Sequence, residues 1–561
     1  MVGRRIRGKR SEALAASVAS CSRSMAAQRP QWPSWSTMTA RSFLLLAFAV
    51  PTLLFPPLGC GGGGGANAGA RGGSGGSGGI TSSGGVGGGS PGPGGQAGGG
   101  AGGMTAEALD GGSPDLALDS AADAGRDAPS RIPTEADRLA AKEAIEAFIE
   151  SRNQASPPTA SGLAGQLAEQ GFTASDVEDL IRSGPMTFRP SGANPDAGTG
   201  SFALIDVACY HARYSSKYWL YVPSSYQSTR KTPLVVVGHG GNSNMSADYA
   251  QSTAKSYLSA YRQMADGELG AVMIAPATTV GWGPLGDVLI ESVISETIRA
   301  YNIDPDRIYI TGQSMGGHLT WRSAMNRGDR YAAFSPQSGG YATYIDDHII
   351  ENVFGTVGYV TYGTSEPYEL DTTNDRLGAW LTEHKYPWTI VKKTGGHEIY
   401  KDEIPAIAAL FAASTRNLYP ARTFLHAVGE LGYPNATTPA GEAIDGRPLR
   451  WNFRNWIEVD ARPDVAAGVT FYGENKGNNR LEIQTNGVRH LRVLLHPKMV
   501  DMGRPVTIVV NGDVEHAAVP APDLAQLLER VRELDDRGRI FYASIPIDVA
   551  TDVTVPVPSY P

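Results

Sequence analysis

Cysteine is almost missing. Three occur in 561 residues, at Cys21, Cys60 and Cys209, and none stands in a CxxC pair or a Cys/His ligand set. The common zinc frameworks are therefore excluded, and neither a metal nor a cofactor is implied. If processing removes Cys21 and modifies Cys60, Cys209 has no intrachain partner and the fold needs no disulfide. Positive charge is also short: 48 Lys and Arg stand against 56 Asp and Glu, a net charge of −8. That balance argues against nucleic acid or an anionic membrane surface as the main partner. The one basic cluster, Arg4 to Arg10, precedes a hydrophobic segment. Long unbroken apolar runs are missing too. Phe43 to Leu58 is interrupted by Pro51, Pro56 and Pro57, and is too short and too broken for a stable membrane helix.

What the amino terminus does contain reads as targeting. The apolar segment ends in Leu58-Gly59-Cys60, and from Cys60 to Gly103 the chain is nearly all Gly, Ser and Ala. This junction resembles a bacterial lipoprotein signal with Cys60 as the lipidated first mature residue. It implies an exported protein of the cell envelope (outer membrane), touching membrane only through a lipid anchor, or otherwise a secreted one. Pro57 stands where such signals favour Leu, and Met38 gives a more ordinary leader length than Met1. A glycine-rich stretch without apolar periodicity cannot bury enough surface to offset its ordering entropy. Residues 1–60 are thus read as leader and 61–131 as a disordered tether.

Beyond residue 131 periodicity returns. Ala141, Ile145, Phe148 and Ile149 recur at helical spacing behind Thr134 and Asp137, a loose capping box. "TASDVEDLI" looks like another capped start, so residues 132–200 are expected to form a small helical appendage. Residues 201–419 alternate strands ("YWLYV", "PLVVVG", "AVMIAP", "RIYIT", "YAAFSP", "TVGYVTYG", "WTIVKK") with helices. Short continuous apolar strands between helices predict a mostly parallel sheet covered on both faces, an α/β domain. Residues 420–561 turn β-rich and mostly antiparallel: "RLEIQ" and "HLRVLL" alternate, and "VTIVVNGDVEHAAV" centres on the hairpin signal Asn511-Gly512.

One stretch carries chemistry. Gly312-x-Ser314-x-Gly316 in "RIYITGQSMGGHLTW" has the spacing of a nucleophile elbow. The same spacing recurs at Ser74, Ser77 and Ser90 inside the tether, so context decides: only Ser314 follows a predicted strand and opens a predicted helix. The backbone N–H of Met315 is then placed to serve an oxyanion. A serine needs a base. Of ten histidines, His318 falls in the following helix, His384 at a helix end, and His426, His490, His496 and His516 in the carboxyl-terminal region. His397 sits in "KKTGGHEIY", a glycine loop after the last strand of the α/β region, where such sheets place chemistry. An acid should lie between the two in chain order. "VTYGTSEPYELDTTND" offers Glu366, Glu369, Asp371 and Asp375; Glu366 comes first in the turn, Asp371 is second choice, and Asp375 suits a helix first turn. His239-Gly240-Gly241 ends another strand and matches a loop that supplies a second oxyanion donor.

These motifs, with the lead-in "IDPDRIY" and the order serine, acid, histidine, resemble the α/β-hydrolase superfamily over Tyr218 to Tyr419. The nearest likeness is to carboxylesterases of the feruloyl-esterase and polyhydroxybutyrate-depolymerase type, and to prolyl-oligopeptidase-like hydrolases. That family more often has Asp where Glu366 stands. The resemblance implies a serine hydrolase acting on a small-molecule or polymeric ester. The alternatives are a serine peptidase with the same triad and a non-catalytic surface-binding lipoprotein. It further implies that "GWGPLGDV" is a substrate-side loop, making Trp282 an exposed contact candidate beside Gln313, and that residues 420–561 are a β-rich accessory domain.

Overall fold

The computed structural model describes residues 131–560, apart from residues 155, 186–199, 210–211, 243, 428–436, 439–440, 442, 445–451 and 460–467. The leader, the tether and Cys60 lie outside the described residues. All described residues fall in a single compact unit. Helices α1 (Glu135–Glu150), α2 (Ala160–Glu169) and α3 (Ala174–Arg182) come first. Thr134 and Thr173 cap α1 and α3 in reciprocal boxes with Asp137 and Asp176. The α/β region follows in the order β1 (Phe202–Ala208), β2 (Ser215–Tyr221), β3 (Thr232–Gly238), α4 (Ala247–Ala260), α5 (Gln263–Asp266), β4 (Val272–Ala277), α6 (Pro284–Ala300), β5 (Ile303–Gln313), α7 (Met315–Asn326), β6 (Ala333–Gln337), α8 (Thr343–Asp346), β7 (Gly358–Gly363), α9 (Leu370–Glu383), β8 (Trp388–Lys393) and α10 (Ile404–Ala413). Among the described residues no helix is long and apolar enough to cross a membrane.

Strand order in the eight-stranded sheet is β1-β2-β4-β3-β5-β6-β7-β8. β1 and β2 form an antiparallel edge, β2 pairs antiparallel with β4, and all the remaining pairs are parallel. Alternation along β3 explains the double cover. Leu234 and Val236 pack with α6 residues Val288, Leu289 and Val293 on one face. Val235 and Val237 pack with Ala250, Ala254 and Leu258 of α4 and Ile407 and Phe411 of α10 on the other. Both faces are dry, so the strands read as continuous apolar runs.

The carboxyl-terminal region comprises β9 (Arg422–Ala427), β10 (Phe453–Arg454), β11 (Ile457–Val459), β12 (Val469–Gly477), β13 (Arg480–Asn486), β14 (His490–Leu495), β15 (Val506–Val510), β16 (Asp513–Ala518), α11 (Leu524–Leu534) and β17 (Ala543–Asp548). The sheets β10-β11-β14-β17 and β16-β15-β13-β12-β9 enclose a core that includes Phe471, Leu481, Ile483, Leu491 and Val493. β15 and β16 are the hairpin expected at Asn511-Gly512, while β13 and β15 pair in parallel.

The amino-terminal helices are not a free appendage. Ile145, Phe148, Ile149, Val177 and Ile181 share one core with Leu527, Leu528 and Val531 of α11. Buried charges tie the layers further. Asp536 accepts from Arg416 at 2.6 and 2.9 Å, and Arg416 also reaches Asp306 at 2.9 Å. Arg539 pairs with Asp329 at 2.6 Å, and Arg330 with Glu291 at 3.1 Å.

Candidate active site

The site is built at the carboxyl ends of β3, β5, β7 and β8. Ser314 occupies the turn between β5 and α7 at φ 61°, ψ −121°. A non-glycine residue holds that conformation only where its surroundings impose it. They do so by close backbone approach. A Cβ on Gly312 would come 2.5 Å from Gly238 O, one on Gly316 2.0 Å from the same oxygen, and one on Gly317 2.3 Å from Gln337 O. The β3–β5 register sets Gly238 opposite Gly312, bringing the two motifs side by side. The helix begins at Met315, directly after the serine.

His397 follows β8, and its Nδ1 lies 2.6 Å from Glu366 Oε2. The Glu366 side chain is fully buried, whereas that of His397 is 27% exposed. Glu366 Oε1 accepts from Ser338 Oγ at 2.5 Å and from Gly363 N–H at 2.8 Å. Burial pushes this carboxyl upward, but the hydrogen bonds from His397, Ser338 and Gly363 outweigh it and leave the pKa below the ordinary glutamate value. With the acid ionised, Nδ1 carries the imidazole proton and Nε2 is the basic nitrogen of the neutral ring. The competing acids go elsewhere. Asp371 sits in the first turn of α9 and Glu369 at its N-cap. Asp375 is held by Tyr362 Oη and Lys392 Nζ, each at 2.7 Å.

The His239-Gly240-Gly241 loop is set by hydrogen bonds. Thr278 N–H donates to His239 Nε2 at 3.1 Å, so Nδ1 bears the proton and donates to Gly240 O at 2.8 Å. Burial pushes His239 down to about 4, keeping it neutral. Fixing the Gly240 carbonyl in a trans peptide turns the Gly241 N–H the opposite way. The Gly240 N–H lies beside the Tyr257 hydroxyl. Of the two glycines, Gly241 therefore has the freer donor. Its φ of 123° suits glycine.

Two expected contacts are corrected. Trp282 is buried, not exposed (8%), because its indole N–H donates to His239 O at 2.9 Å; it supports the loop from beneath. Gln313 is turned inward, accepting from Tyr257 Oη at 2.6 Å. Sequence reasoning missed Ser338, which fastens the acid, and Tyr257, which fastens the glycine loop. "SPQSGGY" after β6 was the available signal for Ser338, a polar residue and glycine pair at another strand end. Nothing local marks Tyr257, which reaches Gln313 across 56 positions. No group of His, Cys, Asp and Glu suited to a metal occurs among the described residues.

The parallel strand order, the antiparallel edge and the strand–elbow–helix turn decide the architecture. The chain has the α/β-hydrolase fold. No protein-family model matches the chain. The chain is 34% identical over 115 residues to an α/β hydrolase, ucsC, of Acremonium sp., covering 19% of this chain and 23% of that protein. It is 30% identical over 126 residues to a bifunctional acetylxylan esterase/xylanase, XynS20E, of Neocallimastix patriciarum, covering 21% and 17% respectively. The matches thus span less than a quarter of each relative's length. Among solved structures, a thermostable esterase overlays 38% of this chain and 63% of its own at 22% identity, with a TM-score of 0.33. The strand order and the Ser314 turn carry the fold assignment, not that overlay.

Proposed function

We propose that the protein is an exported serine hydrolase that cleaves carboxylic esters through an acyl-enzyme. Ser314 Oγ attacks the ester carbonyl while His397 Nε2 takes its proton. His397 then returns that proton to the leaving alcohol as the tetrahedral intermediate collapses. Glu366 holds the imidazole tautomer and stabilises the imidazolium. The N–H groups of Met315 and Gly241 meet the developing oxyanion. Water, deprotonated by the same imidazole, releases the acid and restores Ser314. The observation that carries this reading is the strained Ser314 turn on a sheet that also presents a 2.6 Å His397–Glu366 pair. The two curated relatives, one named a hydrolase and one an acetylxylan esterase, support the ester class. Export, and a lipid on Cys60, rest on the Leu58-Gly59-Cys60 junction.

Labelling with a fluorophosphonate probe tests the nucleophile. Wild type should take one label and Ser314→Ala none, with ester turnover lost by on the order of 10⁴-fold or more. An unlabelled wild type would favour a non-catalytic scaffold. Parallel assays on aryl esters and peptide p-nitroanilides separate esterase from peptidase; faster anilide cleavage would overturn the ester assignment.

A further inference from the structure

We propose that a cavity at the joint between the α/β region and the carboxyl-terminal sheets binds a small monocarboxylate on Arg454. The cavity has a volume of about 260 Å³. Ala332 and Val357, just before the amino ends of β6 and β7, line it, so it lies at the opposite end of the parallel sheet from Ser314. Nothing about it depends on the hydrolase reading. Thr415, which is exposed, stands at its mouth. A water molecule takes up about 30 Å³ of liquid, so the space admits a small organic ion with some of its hydration.

Arg454, on β10, is only 1% exposed. It reaches across to the last turn of α7, where Nη2 donates to Met325 O at 2.5 Å. A Cβ on Gly328 would lie 1.9 Å from Nη1, so glycine at that position makes room for the guanidinium. The other two nitrogens, Nε and Nη1, have no acceptor among the described residues. The neighbouring carboxylate is already committed: Asp329 pairs with Arg539 at 2.6 Å and accepts the Asn455 N–H at 2.7 Å. Burial pushes Arg454 below the ordinary arginine pKa; Asp329 opposes this and Arg539 adds to it. An arginine nevertheless keeps its proton in a protein.

The charged residues lining the cavity are Asp329, Arg416 and Arg454, two positive against one negative. Arg416 is matched by Asp306 and Asp536, and Asp329 by Arg539, so the surplus positive charge is that of Arg454. A buried ionised group without its own counter-charge is costly. Water could accept one of the spare N–H groups but brings no charge. A monoanion supplies both. A carboxylate suits the site best, because a guanidinium binds its oxygens through charge-assisted hydrogen bonds.

Thermal melting of the full chain at neutral pH, with sodium acetate or with sodium chloride at equal concentration, tests this. In wild type, acetate should raise Tm along a saturating curve, by about 3 °C at a hundredfold excess over Kd. Chloride should raise it by less than roughly half as much, lacking the paired oxygens. Arg454→Met keeps an apolar stem without charge or donors. In acetate-free buffer it should melt no lower than wild type, since an unmatched buried charge has been removed, and acetate should move its Tm no more than chloride does. Thr415→Trp narrows the mouth from the exposed side and should abolish the saturating response with Arg454 intact, which keeps the test open if Arg454→Met fails to fold. Isothermal titration should find a single acetate on wild type and none on either variant. A wild-type rise that is linear in acetate, or equal with chloride, would overturn the carboxylate site. A saturating response that persists in the variants would put acetate elsewhere and overturn it too. If Arg454→Met melts well below wild type and wild type ignores acetate, Arg454 is a strut for Met325 O and the proposal falls.

Discussion

Replacing Glu366 by Gln changes one atom, and the surrounding hydrogen bonds dictate which way the new amide must face. Glu366 Oε1 receives the Gly363 N–H at 2.8 Å and Ser338 Oγ at 2.5 Å. A backbone N–H cannot reverse its role, so a glutamine must keep its carbonyl oxygen there and turn its NH₂ toward His397. Nδ1 then has to accept, and the imidazole proton moves to Nε2. In that tautomer the nitrogen facing Ser314 has no lone pair to take the serine proton. The expected loss is on the order of 10⁴-fold in kcat, the cost of a wrong-tautomer triad, with KM changed by less than about threefold. Glu366→Asp retains the charge but withdraws it by one methylene from a 2.6 Å contact, so its loss should be smaller, on the order of 10²-fold. Steady-state kinetics on a small aryl ester reads both, with fluorophosphonate labelling rates as a second readout. Asp371→Asn and Asp375→Asn are the controls, expected within about tenfold of wild type. A large loss in Asp371→Asn, with Glu366→Gln near wild type, would refute the assignment of the acid.

Gly241→Ala places a Cβ 2.5 Å from Met245 Sδ at a φ of 123° and should cost about 10²-fold or more in kcat, the scale of one lost oxyanion donor; activity within threefold of wild type would redirect attention to Gly240. Asp536→Ala removes the carboxylate that Arg416 shares with Arg330 and Arg539, leaving the buried Arg416 with Asp306 alone, and should destabilise by about 3 kcal/mol, seen as a lower urea midpoint. For the same reason a chain ending at Pro420, which lacks both Asp536 and Arg539, is expected not to fold on its own, and a soluble, cooperatively melting truncation would contradict this. Glu178, buried, is lowered to about 2: burial raises it, but the hydrogen bonds from His496 and Tyr542 outweigh that. Its folded pKa lies below its unfolded one, so its stabilisation is present above about pH 4.5 and fades toward pH 2. The stability gap between wild type and Glu178→Gln should close over that window, and a gap independent of pH would refute the linkage. Cys60→Ser should move the exported protein from the detergent to the aqueous phase; if both forms stay aqueous, Cys60 carries no lipid.

The parts of this molecule legible in sequence are those whose physics is local. β3 and β5 announce themselves because both faces of the sheet are dry, and the Ser314 turn does so because glycines are forced within a few residues of one another. The meeting of His397 with Glu366 is likewise set by position in the turn after β7. What escapes is whatever depends on distant partners. Trp282 looks like an exposed loop aromatic in sequence, and only the carbonyl of His239, 43 positions away, makes it a buried support. The helices before residue 183 read as an appendage because their partners in α11 lie more than 340 residues further along the chain. β1 escapes notice as an edge strand with Asp206 exposed near its middle.

The contact between Gly238, Gly312 and Gly316 has a consequence for anyone who would transplant this chemistry. With a Cβ on Gly316 lying 2.0 Å from Gly238 O, the strand that ends in the His239 loop and the turn that lifts Ser314 leave no room for a side chain between them. The two motifs, 74 positions apart in the chain by their glycines at 238 and 312, behave mechanically as one part. Moving the serine turn to another scaffold without its matching glycine strand would force the serine and the oxyanion loop apart. Loop variation is tolerable around this joint, whereas the joint itself must travel whole.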